Sequence, residues 1–156
     1  MNKIILKLLL SFIILSACGY KVVKYSELAK FEINKIETVG DNMLNFKIKR
    51  KLNSLSSEGN ENKINILLNA SKNKFAKEKD TKNEISKYQI DIVVKLEVNS
   101  INKENILDFT IKKSGDFLVD AKQSRTYEIE KRVTDLLIDE TLDEIVDNLL
   151  IELNDI

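Results

Sequence analysis

Chemistry in this chain has few places to start. The sequence holds one cysteine, Cys18, and no histidine, tryptophan or proline among its 156 residues. Without an imidazole, a histidine general base and histidine-containing metal sites are excluded. A single thiol can neither close an internal disulfide nor build a four-thiolate zinc site. Serines and carboxylates are plentiful, but there is no Gly-X-Ser-X-Gly elbow and no glycine-rich phosphate loop. Carboxylate-pair or Ser-Lys chemistry stays open in principle, yet no spacing points to either. The expectation is a protein that is not an enzyme and holds neither a metal nor another dissociable cofactor.

Cys18 gains meaning from what precedes it. Lys3 and Lys7 form a short basic region, the apolar run LLLSFIIL follows from Leu8 to Leu15, and Ser16 and Ala17 lead to the thiol. A charged start, an apolar middle and small residues before the cut are the three parts of a secretory signal. The run is shorter than the ~20 apolar residues a bilayer span needs, and no later segment is apolar enough. Leu15-Ser16-Ala17-Cys18 resembles the bacterial lipobox. That resemblance implies cleavage between Ala17 and Cys18, a diacylglycerol on the Cys18 thiol and an acyl chain on its new amino group. Three chains on one residue exceed the two signals that stable anchoring requires. Gly19 stands where an Asp would favour inner-membrane retention in such lipoproteins, which implies the outer membrane, facing the periplasm. The expected organisation is a signal peptide over 1–17, a lipidated N-terminus and tether over 18–30, and one domain over 31–156.

The elements that must position any binding residue follow from periodicity. At 43% hydrophobic and 32% charged the composition is globular. Phe31, Ile33 and Ile36 read as a short first strand. Thr38 to Asp41 supply a turn, with Asp41 as N-cap. Leu44, Ile48, Leu52 and Leu55 recur at helical spacing, with Lys47, Lys49, Arg50 and Lys51 mostly between them, which predicts an amphipathic helix over 42–55. Ile64, Ile66, Leu68 and Ala70 alternate with Asn65, Leu67 and Asn69, in a strand that can run toward Phe75. Lys77 to Asn83 reads as a hairpin tip. Tyr88, Ile90, Ile92, Val94, Leu96 and Val98 then alternate with Gln89, Asp91, Val93, Lys95, Glu97 and Asn99, which predicts a long strand with one buried and one polar face. Leu107, Phe109 and Ile111 form a further strand, with a bend expected at Ser114-Gly115-Asp116 before Phe117 and Val119. A long helix closes the chain from about Ser124 to Asn154. Its stripe starts with Ile129, Val133 and Leu136 and continues in shifted phase through Ile138, Leu142, Ile145, Leu149 and Leu153, so a bend or a broad contact face is expected. The order β-α-β-β-β-α predicts an α+β two-layer sandwich: a four-stranded, largely antiparallel sheet with both helices on one face.

The lipobox followed by Cys18-Gly19-Tyr20, this element order, the basic Leu-spaced helix with Lys49-Arg50-Lys51-Leu52 to Leu55, and Lys87-Tyr88-Gln89-Ile90 opening a long strand resemble the LPS-assembly lipoprotein family LptE. The pattern covers the whole mature chain, Cys18 to Ile156, although the prolines and extended tail of some members are missing. The resemblance implies a non-enzymatic role inside a large outer-membrane β-barrel, LptD, as a plug that assists barrel assembly and lipopolysaccharide delivery to the outer leaflet. The competing expectation is another small periplasm-facing lipoprotein, a lipid- or solute-binding accessory of an envelope transporter. The polar strand face of Gln89, Asp91, Lys95, Glu97 and Asn99 would suit the wet interior of a wide barrel, or would simply be solvated.

Charge adds a further clue. The formal net charge is zero, which gives no support to a nucleic-acid partner. The zero hides polarity: residues 19–90 hold 15 basic and 9 acidic residues, and residues 128–156 hold 2 basic and 10 acidic. Clustered ammonium groups attract phosphates such as those of lipid A. Lys77, Lys79 and Lys82 at the hairpin tip are candidate contacts, and the family pattern adds Lys131 and Arg132 near the start of the final helix.

Overall fold

The computed structural model describes residues 29–101 and 104–154. Ala17, Cys18, the signal-like run and the tether up to residue 28 lie outside the described residues. The elements are β1 (Glu32–Gly40), α1 (Asn42–Leu55), β2 (Lys63–Lys79), β3 (Ile85–Ser100), β4 (Asn105–Leu118) and α2 (Gln123–Asn154). This is the expected β-α-β-β-β-α order. The strands lie side by side in chain order. β1 runs parallel to β2, across the α1 crossover, while β2, β3 and β4 pair antiparallel.

Alternation in the strands decides which face is covered. Ile66, Val98 and Leu107 stand in one cross-strand row, Leu68, Leu96 and Phe109 in the next, and Ala70, Val94 and Ile111 in the third. These side chains meet the buried stripe of α1 (Leu44, Ile48, Leu52 and Leu55) and that of α2 in a single core. Ala29, placed by the sequence at the end of the tether, is also part of that core.

Local chemistry fixes the crossover. Gly40 has φ +94°, and a Cβ there would lie 2.1 Å from the Ala70 carbonyl oxygen. The bare backbone lets Asp41 donate its N–H to that oxygen at 2.7 Å. Asp41 then caps α1, its carboxylate accepting from Met43 N and Leu44 N at 3.0 and 2.9 Å, which satisfies donors that a helix start leaves open.

Four expectations need correction. The first strand is longer than expected: Thr38, Val39 and Gly40, read as a turn, continue β1 in register with Leu68, Asn69 and Ala70, and the chain turns only at Asp41. No bend interrupts the last strand: β4 keeps its register against β3 across Ser114, Gly115 and Asp116. Gly115 instead admits the helix, because a Cβ there would come within 2.9 Å of Val133 Cγ1 and 3.2 Å of Leu137 Cδ1. Leu136 does not belong to the α2 stripe. It is 57% exposed, and Leu137 is the buried residue at 4%. With that substitution Ile129, Val133, Leu137, Thr141, Ile145, Leu149 and Leu153 form one unbroken i, i+4 row, and Thr134, Ile138, Leu142, Val146 and Leu150 form its neighbour, a broad contact face on an uninterrupted helix. The hairpin tip is also shorter than expected: β2 continues to Lys79, and only Asp80 to Glu84 turn the chain.

Candidate functional site

β2 and β3 outrun α1. The first turn of α1 sits beside Ala70, so the next inward positions on β2, Lys72 and Lys74, lie beyond the cover of that helix. Among the described residues, the N-terminal half of α2 reaches Lys74 through Glu130. Lys74 Nζ lies 4.3 Å from the centroid of the Tyr88 ring and 5.2 Å from that of Phe117, and it donates to Glu130 Oε2 at 2.5 Å. The two rings stack at 5.5 Å. A lysine stem over aromatic faces, its charge met by a carboxylate, is a stable way to end a core.

Beside this arrangement a cleft of about 470 Å³ opens between the start of α1 and the first half of α2, lined by Met43, Lys47, Lys72, Tyr127, Glu130, Lys131, Thr134 and Asp135. Its charges are unequal. Lys47 pairs with Asp135 at 2.7 Å and Glu130 is taken by Lys74. Lys72 and Lys131 have no ion pair among the described residues. Met43 and Tyr127 are exposed at the rim. Two uncommitted ammonium groups next to a thioether and a phenol ring suit a ligand with an anionic head and an apolar body.

The sequence candidates separate in space. Lys131 lines the cleft, whereas Arg132, its helical neighbour about 100° around the axis, is exposed and does not. Lys77 lies on the opposite sheet face from Lys72 and Lys74 and pairs with Asp116 at 2.5 Å. Lys79 donates to Asn83 Oδ1 at 3.1 Å. Lys82 sits in the turn, where its backbone N–H donates to Asp80 Oδ1 at 2.8 Å. At the same tip Glu78 accepts from Lys87 at 2.5 Å, and that hydrogen bond raises the Lys87 pKa. The tip is thus a mixed-sign surface. Lys72, Met43 and Tyr127 were not singled out from the sequence. The signal for Lys72 and Lys74 was present: both occupy the inward parity of β2, where charge marks the end of helix cover.

The uncovered sheet face carries Asn65, Asn69 and Asn73 on β2, and Gln89, Asp91, Lys95, Glu97 and Asn99 on β3. Asn34 donates to Asn65 Oδ1 at 2.9 Å. This is the polar face the alternation predicted, with one surprise in Asp91, which is buried.

The β-α-β-β-β-α sandwich places this chain in a fold class that includes solved bacterial lipoproteins. A minor lipoprotein from Acinetobacter baumannii superposes with a TM-score of 0.55 at 12% identity, covering 74% of this chain and 90% of that one. An uncharacterized lipoprotein B from Nitrosomonas europaea gives 0.57 at 10% identity, covering 82% and 88%. A putative lipoprotein from Caulobacter crescentus gives 0.52 at 15% identity, covering 81% and 91%. The chain shares their fold. No protein-family profile and no curated protein matches the sequence.

Proposed function

We propose that this chain is a non-enzymatic envelope lipoprotein, anchored through Cys18 in the outer membrane and facing the periplasm, that serves lipopolysaccharide assembly as the plug of an LptD-like β-barrel. The lipobox-like Leu15-Ser16-Ala17-Cys18 and a fold shared with solved lipoproteins support the anchor. The observation that carries the ligand is the cleft in which Lys72 and Lys131 stand beside Met43 and Tyr127. Lipid A combines phosphates with acyl chains, and this lining offers a partner to each. The polar sheet face supports the plug reading, because a wide barrel has a wet interior. A cleft of this size, within the roughly 300–1,000 Å³ of small-molecule sites, equally favours a lipid-binding accessory of an envelope transporter.

Co-purification separates the two. Native membranes solubilised in mild detergent should yield a stoichiometric complex with one large β-barrel protein; recovery of the lipoprotein alone would sink the plug reading and leave the accessory. The anchor has its own test. Cys18→Ala should retain the signal segment and lack lipid by intact mass, and a normal mature mass in that variant would refute the lipobox.

A further inference from the structure

The end of the sandwich opposite the hairpin tip carries apolar side chains that the core does not use. Ile101, just after β3, and Ile106, at the start of β4, are 54% and 36% exposed. Together with Phe31, Ile64 and Leu153 they line a cavity of about 240 Å³. Those three are buried, so they form its floor, and the two isoleucines share the outward rim with the exposed Glu61 and Lys63, charges that suit the headgroup level beside an apolar insertion. The part of each isoleucine left outside the fold keeps an unfavourable contact with water.

The position of this rim gives it a partner. The chain enters the fold at the same end: Ala29 is in the core, Phe31 lines the cavity floor, and the Phe31 carbonyl accepts from Ser57 N at 3.1 Å. Only ten residues, 19–28, separate Ala29 from Cys18. The eleven Cα steps between Cys18 and Ala29 span at most about 40 Å when fully extended. The hairpin tip lies far off, since the 17 residues of β2 alone extend roughly 55 Å at about 3.3 Å per residue. A lipid anchor on Cys18 therefore keeps the Ile101–Ile106 end within reach of a bilayer and fixes no direction for the body.

We propose that Ile101 and Ile106 are a second, non-covalent membrane contact. They insert into the lipid surface to which the chain is tethered and stand the sandwich with its strands steep to the membrane and its hairpin tip outermost. The occupant is a phospholipid surface rather than a second copy of the chain, because the tether brings lipid to this end whatever the protein concentration. The proposal rests on the anchor reading. It supplies what the anchor lacks: acyl chains hold the protein at the membrane, and the rim sets its orientation.

The test uses the lipidated full chain, whose natural thiol is blocked by its lipid. Ile101→Cys, Ile106→Cys and, at the tip, Lys82→Cys each receive an environment-sensitive NBD probe. Each protein is reconstituted into phosphatidylethanolamine–phosphatidylglycerol vesicles with and without doxyl-labelled lipid. The expected result is a blue shift and doxyl quenching at 101 and 106, and neither at 82. Equal, water-like emission at all three positions in floated vesicles would overturn the proposal and leave the anchor intact. Disulfide-linked dimers through unlabelled 101 or 106, without lipid quenching, would assign the rim to a second copy and overturn it too. Failure of the anchor reads out separately, as a Cys18 without lipid mass and a protein that does not float, and overturns both.

Discussion

Asp91 sits on the uncovered face of the central strand, yet it is only 8% exposed. Its neighbours explain this: Gln89 donates to Oδ1 at 2.6 Å, and Lys112 on the adjacent strand reaches Oδ2 at 3.4 Å. The Gln89 hydrogen bond, then that of Ser114, holds the carboxyl below its ordinary pKa, against the opposing effect of burial. A depressed carboxylate contributes stability that is complete above the unfolded value, ~3.9, and is lost as pH falls through the folded one. Melting temperature should therefore drop as pH is lowered below about 4, and Asp91→Asn should flatten that acid limb while leaving the neutral limb parallel to it. An unchanged acid limb would mean that Asp91 is not a contributor. The cleft makes a second residue-scale prediction. Lys72→Glu or Lys131→Glu should weaken lipopolysaccharide binding by about tenfold, the scale of one charge-assisted hydrogen bond. Arg132→Glu, one position on and outside the cleft, should change it little. Calorimetric titration of the three variants checks this, and equal losses at 131 and 132 would mean a diffuse charge effect in place of a site.

At the scale of elements, α2 offers the sharpest contrast between adjacent residues. Leu137→Ala should cost about 2–5 kcal/mol, as expected for a buried leucine, whereas Leu136→Ala should stay within about 0.5 kcal/mol. Urea denaturation of the pair checks the helix phase, and the reverse ranking would place the sequence-derived stripe on the sheet after all. The stripe was misread because two adjacent leucines, Leu136 and Leu137, fit different helical phases, and only the sheet beneath chooses between them. Thr134 and Thr141 hid the continuity as well, since a polar residue inside an apolar row is silent to hydropathy. Both are buried and turn their hydroxyls back to the Glu130 and Leu137 carbonyls, at 2.8 and 2.7 Å. Gly115 misled in another way. Beside Ser114 and Asp116 it has the composition of a turn, but it is a contact glycine, and only the packed helix distinguishes the two. Elements with a single unambiguous period were legible to the residue: α1 with its Asp41 cap, and the buried face of β3. The cleft was not, because Met43, Lys72 and Lys131 come from three elements far apart in sequence and meet only after the sheet has formed.

Over the whole molecule the zero net charge resolves into two kinds of cancellation. Part is between layers: Lys47 with Asp135, Lys74 with Glu130 and Lys113 with Glu144 tie the basic N-terminal half and the sheet to the acidic helix. Exposed pairs of this sort are each worth only ~0–1 kcal/mol, so they bias the docking of α2 more than they stabilise it. Another part is within the uncovered face: Lys35 with Glu37, Lys95 with Glu97, Lys112 with Asp91 and Lys77 with Asp116. That face is therefore close to neutral and rich in amides, with Asn69 and Asn73 exposed along β2. A self-neutralised amide surface has little long-range field and much short-range hydrogen-bonding capacity, which suits close contact with a polar wall and disfavours an ionic partner. Under the plug reading, Asn69→Glu with Asn73→Glu should lower recovery of the barrel complex while melting temperature and lipopolysaccharide affinity stay at wild-type values, since both side chains point away from the core and from the cleft. Quantitative co-purification, run beside thermal unfolding and ligand titration on the same preparation, reads the three effects apart. Undiminished complex with both glutamates in place would move the barrel contact off this face and leave the sheet surface merely solvated.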